Sequence, residues 1–321
     1  MNLAPIILFC YNRPWHVEQT LIALSKNELA DQSVLYIYCD GPRENATEEQ
    51  IEKIKEVRRV VRKENWCKEV YIIESEQNKG LANSIIGGVT NVVNKHGSCI
   101  VLEDDLVSSP YFLKYMNKVL NFYMDYPSVF SVSANRPPLS KMQIPDDYQF
   151  DVFVCLRSYS TGWATWKDRW NRIDWSMDIY DKYKSNKSIT EALSRLGDDF
   201  APMMQMQEDG EIDSWAVRFG FMHFVHHAIA ILPCNSYVTN IGFDGSGIHS
   251  GTVKNLYEND LSLSVNEPRL LDVVYEDQRI INAFYNVFTY AKRPLWQKAI
   301  NFIARKLRFK PPFVIKKKVY A

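Results

Sequence analysis

The run Cys99-Ile100-Val101-Leu102-Glu103-Asp104-Asp105-Leu106 sets an apolar segment directly against three adjacent carboxylates. Ile100 to Leu102 reads as a short strand buried on both faces, since it is apolar without alternation and β-branched at two positions. That strand ends in concentrated negative charge. Three neighbouring acids repel one another and resist desolvation, so something positive should sit on them, and a divalent cation is the usual answer. In open α/β sheets, ligands bind beyond the carboxyl ends of the strands, where these acids fall. Hard oxygen ligands favour Mg²⁺ or Mn²⁺, and a cation held by one or two carboxylates commonly completes its shell with a phosphate. A solvated turn after a buried strand would equally fit the triplet taken alone, so its neighbours must decide.

Upstream, three similar strands are expected, each closed by polar residues. Pro5 to Tyr11 ends in Asn12-Arg13-Pro14, where Pro14 suits the first turn of a helix striped by Val17, Leu21 and Leu24. Val34 to Cys39 ends in Asp40-Gly41-Pro42, and Thr47-Glu48-Glu49-Gln50 has the form of a capping box ahead of Ile51, Ile54, Val57 and Val61. Val70 to Ile73 runs into Asn78-Lys79-Gly80, then a helix striped by Leu81, Ile85, Val89 and Val92. Regular alternation of strand and helix predicts an α/β fold with a mostly parallel central sheet flanked by helices. The polar clusters then gather on one edge as a binding site. Neither GxGxxG nor GxxxxGK[ST] follows the first strand, which disfavours a dinucleotide fold and a P-loop.

Downstream the pattern changes. A helix is expected over Tyr111 to Tyr123 and strands over Val129 to Val132 and Val152 to Leu156. Trp163, Trp166, Trp170 and Trp175 follow, four of the chain's eight tryptophans. Core packing accounts for most of them. Trp163 is singled out as a platform for a sugar ring, because the adjacent Gly162 permits close backbone approach. Glu208 to Trp215 is a second acidic concentration, in which Asp213 could cap a helix or take a proton from an attacking hydroxyl, with Asp209 its competitor. Asn240 to Ile248 is rich in glycine and ends in His249, a plausible metal or pyrophosphate contact. His226 and His227, in an apolar segment, read as structural.

Net charge is zero, with 38 basic and 38 acidic residues, so no global field points to nucleic acid. Hydrophobic residues make up 46% and charged ones 24%, as in an ordinary folded chain. The six cysteines form no CxxC pair and no zinc spacing, which fits a reducing cytosol. Without a leader pattern or a membrane-length apolar run, a cytoplasmic location is expected. Lys292 to Lys318 carries ten Lys or Arg and no acid. Trp296, Ile300, Ile303 and Leu307 stripe that tail, which reads as a basic amphipathic helix resting on an anionic membrane surface or as a helix packed on its own domain.

Together these residues make the chain resemble the GT-A class of nucleotide-sugar glycosyltransferases across roughly residues 4 to 250. Tyr11-Asn12-Arg13-Pro14, Asp40-Gly41 and Asn78-Lys79-Gly80-Leu81-Ala82 look like the inverting family 2. Glu103-Asp104-Asp105, Gly162-Trp163 and Asp213-Ser214-Trp215 look more like the N-acetylglucosaminyltransferase I group. The resemblance implies a GT-A, Rossmann-like domain over 1–255, with a nucleotide-sugar-binding half (1–106) and an acceptor-binding half (107–255), followed by a basic helical extension over 256–321. It implies that Asp40 contacts uracil and that Glu103 and Asp104 serve the ribose and a metal-bound water. Asp105, with His249, would hold Mn²⁺ or Mg²⁺, and Tyr11, Asn12, Arg13, Asn78, Lys79, Gly162 and Trp163 would meet the nucleotide sugar. Asp213 would be the base of an inverting transfer from a UDP-sugar to a glycan or lipid-linked glycan of the cell surface. The group usually has Asp-Asp-Trp or Glu-Asp where this chain has Asp213-Ser214-Trp215 and Glu208-Asp209, so Asp209 stays in contention. A sugar-phosphate nucleotidyltransferase and an inactive glycan-binding protein are the rival readings.

Overall fold

The computed structural model describes residues 3–244, 259–288 and Ile300. His249 and the basic tail, Ile300 apart, lie outside them. Three βα units and a fourth strand open the chain: β1 (Ile6–Cys10), α1 (Pro14–Ser25), β2 (Val34–Cys39), α2 (Glu48–Val60), β3 (Glu69–Glu74), α3 (Leu81–His96) and β4 (Ser98–Glu103). A short β5 (Leu106–Ser108) leads to α4 (Phe112–Phe122), β6 (Val129–Ser133), β7 (Val152–Cys155) and β8 (Trp163–Trp166). Five helices follow in a row: α5 (Lys167–Trp170), α6 (Asp178–Tyr183), α7 (Lys187–Leu193), α8 (Phe200–Glu208) and α9 (Trp215–Val225). β9 (Ile229–Pro233), β10 (Val238–Asn240) and α10 (Gln278–Val287) complete the described elements.

Eight strands form one sheet in the order β3-β2-β1-β4-β8-β6-β9-β7. Only β8 and β7 run against the others, so the sheet is mostly parallel, as expected. Alternate side chains of one strand serve opposite cores. Ile6 and Leu8 join Val17, Leu21 and Leu24 of α1, whereas Ile7 and Phe9 join Ile85, Val89 and Val92 of α3. A strand covered on both faces has no use for polar alternation, which is why β1 and β4 read as uninterrupted apolar runs. At α2 the capping box forms: Gln50 N donates to Thr47 Oγ1 at 3.2 Å, and Thr47 N to Gln50 Oε1 at 3.0 Å.

A third core lies at the far edge, where Ile280, Phe284 and Phe288 pack with Phe153, Ala230 and Leu232. Part of the expected C-terminal extension, α10, thus shares the core of the sheet. Beside it the Arg157 guanidinium stacks 4.1 Å from the Phe288 ring centroid and donates to Asp199 Oδ1 at 2.9 Å. None of the helices among the described residues is long and apolar enough to cross a membrane.

His223 of α9 is fully buried, its Nδ1 2.9 Å from the Phe219 carbonyl oxygen and its Nε2 2.9 Å from Ser131 Oγ. Burial holds its pKa down to about 4. An unfolded chain binds a proton on this imidazole below about 6.5. Between that pH and 4 the fold refuses the proton, so stability present at neutral pH is lost as pH falls, by ~3 kcal/mol in all. Urea unfolding at pH 7 and pH 4.5 should show this loss in the wild type and a smaller one in H223Q.

Candidate functional site

The sheet order fixes where a ligand can bind. From β1 the chain steps outward to β2 and β3, then returns to place β4 on the other side of β1. The switch point therefore lies between β1 and β4, and the crevice beyond their carboxyl ends is the expected ligand position. The residues that follow these two strands are Tyr11-Asn12-Arg13 and Asp104-Asp105.

Arg13 is the residue just before α1, and Pro14 begins the helix. Its guanidinium pairs with Asp104 Oδ1 through Nη2, which also lies 3.1 Å from Asp105 Oδ2. Burial opposes the charge on Arg13, but Asp104 and Asp105 outweigh it and hold the pKa above its ordinary value. Glu103 is pushed up to about 8, first by burial and then by the charges of Asp105 and Asp104. Neutral pH thus finds Glu103 largely protonated, with one guanidinium facing two carboxylates. Asp104 is raised as well, by burial above all, although Arg13 pulls the other way.

The backbone of the triplet is pinned from both sides. Thr20 Oγ1 of α1 donates to the Asp104 carbonyl at 2.8 Å, and Ile241 N donates to the Asp105 carbonyl at 2.9 Å. The second bond extends the antiparallel pairing of β10 with β5, in which Asn240 faces Leu106. Gly242 comes down on the acids themselves: a Cβ there would stand 2.2 Å from Asp105 Oδ2 and 2.9 Å from Arg13 Nη1. A larger residue there would have to push the Asp105 carboxylate and the Arg13 guanidinium aside. Two residues on, Asp244 Oδ2 lies 3.2 Å from Nε2 of the buried His16. The first part of the glycine-rich segment therefore roofs the acidic triplet, while Gly245 to His249 lie outside the described residues.

Asp40 and Asn78 meet at the ends of β2 and β3. The Asp40 carboxylate accepts from Gly41 N (2.9 Å), Lys79 N (2.9 Å), Gly80 N (3.2 Å) and Asn78 Nδ2 (3.0 Å). With four donors its acceptor sites are filled by the chain itself. Asp40 therefore latches the two loops together, and a base could gain a bond from it only by displacing one of these donors. Asn78 also donates to the Gly41 carbonyl at 3.0 Å, and Lys79 is exposed on the same edge. Tyr11 and Asn12 are partly exposed beside Arg13.

Trp163 requires a correction. It begins β8, and its indole is 2% exposed, stacked 4.8 Å from the Trp215 ring and 5.7 Å from that of Trp170. A ring enclosed in that way cannot serve as a sugar platform. Gly162 is buried too, at φ +64°, with the side chain of Val238 where a Cβ would go. Close approach is made there by Val238 and not by a ligand. The tryptophans instead locate α9: Trp163 pairs in register with Val101 of β4, so Trp215 brings the start of α9 to that end of the sheet.

Asp213 precedes that start. Ser214, and not Asp213, caps α9, through Val217 N to Ser214 Oγ at 3.3 Å. The Asp213 carboxylate accepts from Arg218 at 2.8 Å and its side chain is 60% exposed. Asp209, at the end of α8, is exposed and accepts from Gln205 at 2.9 Å. Thr20 and His16 carry no role in the sequence reading, and Ile241, Gly242 and Asp244 enter it only as part of the glycine-rich segment. Thr20 was the detectable one, a polar residue between Val17 and Leu21 on the buried stripe of α1.

Among the described residues no three His, Cys, Asp or Glu side chains converge as a metal cage. Asp105 still suits a hard cation that takes its other ligands from phosphate and water, because its carboxylate is partly exposed and Asp104 is buried. No protein-family model matches the sequence, and no curated protein matches it. Among solved structures the chain is similar to S. aureus TarS, at 9% identity over 76% of this chain and 37% of that one, with a TM-score of 0.40. It is similar to glucosyl-3-phosphoglycerate synthase from Mycobacterium tuberculosis, solved with Mn²⁺ and UDP, at 10% identity over 52% of this chain and 57% of that one, with a TM-score of 0.31. It is also similar to a UDP-glucose pyrophosphorylase complexed with UDP-glucose, at 12% identity over 72% and 90% of the two chains, with a TM-score of 0.37. Likenesses this distant do not choose between chemistries, and the choice falls to the side chains.

Proposed function

We propose that the chain is an inverting glycosyltransferase that moves a sugar from a UDP-sugar to a hydroxyl of a glycan or lipid-linked glycan. The observation that carries this reading is the meeting of Arg13, Asp104, Asp105 and the Gly242 segment at the β1/β4 switch point. Three clustered acids in a crevice, under a backbone roof and beside a guanidinium, suit a ligand that brings both a cation and a phosphate. Mn²⁺ or Mg²⁺ bound there would neutralise the charge that develops on the departing diphosphate. Asp105 would hold it, with His249 a further candidate from the glycine-rich segment.

The chain's own residues do the rest. Tyr11, Asn12 and Lys79 line the donor edge, and Asp40 with Asn78 fixes the loops that present it. Asp213 takes the proton from the acceptor hydroxyl as that oxygen attacks from the face opposite the diphosphate, which inverts the sugar. The stacking of Trp215 on Trp163 favours Asp213 over Asp209, since it brings residue 213 toward the β4 end of the sheet. The ten basic residues between Lys292 and Lys318 support a peripheral place on an anionic membrane surface, such as the inner face of the plasma membrane, and a role in cell-surface polysaccharide synthesis.

Thermal unfolding with a panel of UDP-, GDP-, ADP- and CDP-sugars, with and without Mn²⁺, tests the reading. UDP-sugars should raise the midpoint only when Mn²⁺ is present, by the equivalent of about 2.7 kcal/mol at 100 times Kd. No shift with any member of the panel would remove the donor site.

A further inference from the structure

We infer that Arg13 is an exchangeable counter-cation, which occupies Asp104 and Asp105 until a diphosphate draws its guanidinium away and frees Asp105 for a divalent ion. The inference rests on the donor site proposed above and deepens it. It makes cation and nucleotide load as a coupled pair.

Three observations lead there. First, the guanidinium bridges both carboxylates, pairing with Asp104 and lying 3.1 Å from Asp105 Oδ2. Arginine cannot vacate such a position by losing its proton, so it leaves only by moving. Second, the space is closed from above. Gly242 lies so near that a Cβ built on it would stand 2.2 Å from Asp105 Oδ2 and 2.9 Å from Arg13 Nη1. A divalent ion of the magnesium kind keeps several waters, and this cover leaves no room for a hydrated ion on Oδ2 while the guanidinium stays. Third, Arg13 is tethered for a swing. Pro14 and the Val17 N to Arg13 O bond of 3.1 Å fix its backbone at the head of α1, while its side chain remains 17% exposed toward the crevice.

The direction of the swing follows from chemistry. A guanidinium is a planar fork that matches phosphate oxygens in pairs, and a diphosphate presents several such oxygens with charge spread over them. Once Arg13 turns to it, Asp105 is left without a partner and accepts a cation that the same diphosphate also grips. Linkage then requires each ligand to tighten the other by one factor.

Mn²⁺ binding to the full chain, followed by the electron paramagnetic resonance of the free ion, tests this without any transfer reaction. Wild-type protein should bind Mn²⁺ weakly alone, and UDP should tighten it about 5–150-fold, the usual range of such couplings. R13Q, which keeps hydrogen-bonding capacity without the charge, should bind Mn²⁺ alone more tightly than wild type by a factor in that range, with the UDP effect reduced toward one. R13K keeps the charge and loses the fork, so Mn²⁺ alone should bind as weakly as in wild type while the UDP effect shrinks. A folded R13Q that binds Mn²⁺ no better than wild type, with UDP still promoting binding in both, overturns the exchange and leaves the donor site standing. UDP that leaves wild-type Mn²⁺ affinity unchanged overturns it whatever the variants do. Failure of wild type and R13Q alike to take up Mn²⁺ with UDP present overturns both inferences.

Discussion

Asp105→Ala is expected to abolish Mn²⁺-dependent binding of UDP, with a loss of more than about 100-fold in metal affinity, beyond the range typical of groups that only support a ligand. Asp105 is the acid of the triplet that combines a partly exposed carboxylate with a pinned backbone, its carbonyl accepting from Ile241 N at 2.9 Å. Asp104 cannot replace it, being buried. Alanine also removes the carboxylate against which Gly242 is seated, so the loop could loosen along with the metal site. Asp105→Asn separates the two effects. It keeps the shape beneath the roof and removes the charge, and should lose Mn²⁺ to nearly the same extent. Isothermal titration of UDP with and without Mn²⁺ reads the result, and undiminished metal-dependent binding in the asparagine variant would refute the assignment.

Asp213→Asn should retain donor binding and lose transfer by about 10²–10⁴-fold in kcat, the usual contribution of a positioned general base. Its pairing with Arg218 is a surface interaction and contributes at most ~1 kcal/mol to stability, so the variant should fold normally. Asp209→Asn, altered at the end of α8, should stay within a few-fold of wild type. Kinetics with saturating UDP-sugar and Mn²⁺ decide between the two acids. The opposite pattern moves the base to Asp209, and full activity in both variants removes the proton-abstraction step.

The first hundred residues were legible because strands covered on both faces are written as unbroken apolar runs, and helices between them carry their own spacing and caps. Thr47 to Gln50 formed the capping box its letters described. Leu81 was misplaced on the buried stripe of α3; as the first residue of that helix it projects past the sheet and is 42% exposed. The site was legible as composition but not as geometry. The triplet announced that it needed a positive partner, and a divalent ion was the natural expectation. The partner in the structure is Arg13, brought there because β1 and β4 are adjacent although 87 residues separate their ends at positions 10 and 98 of the chain. Trp163 shows how sequence neighbours can mislead. Its glycine neighbour correctly signalled close approach, but Val238 and Trp215 come from far along the chain, and spacing in sequence says nothing about who arrives.

β8 is also a seam. It runs antiparallel between β4 and β6 and, among the described residues, joins β1 to β4 with β6, β9 and β7 in one sheet. Cut away from it, β4 would present a naked row of unpaired amides and carbonyls, an invitation to self-association. Residues 1–106 can therefore be a unit of ligand recognition without being a unit of folding. Insertions and splices that respect the chemical division would still break the protein there, and recombination within this architecture is confined to exchanges that carry β8 along.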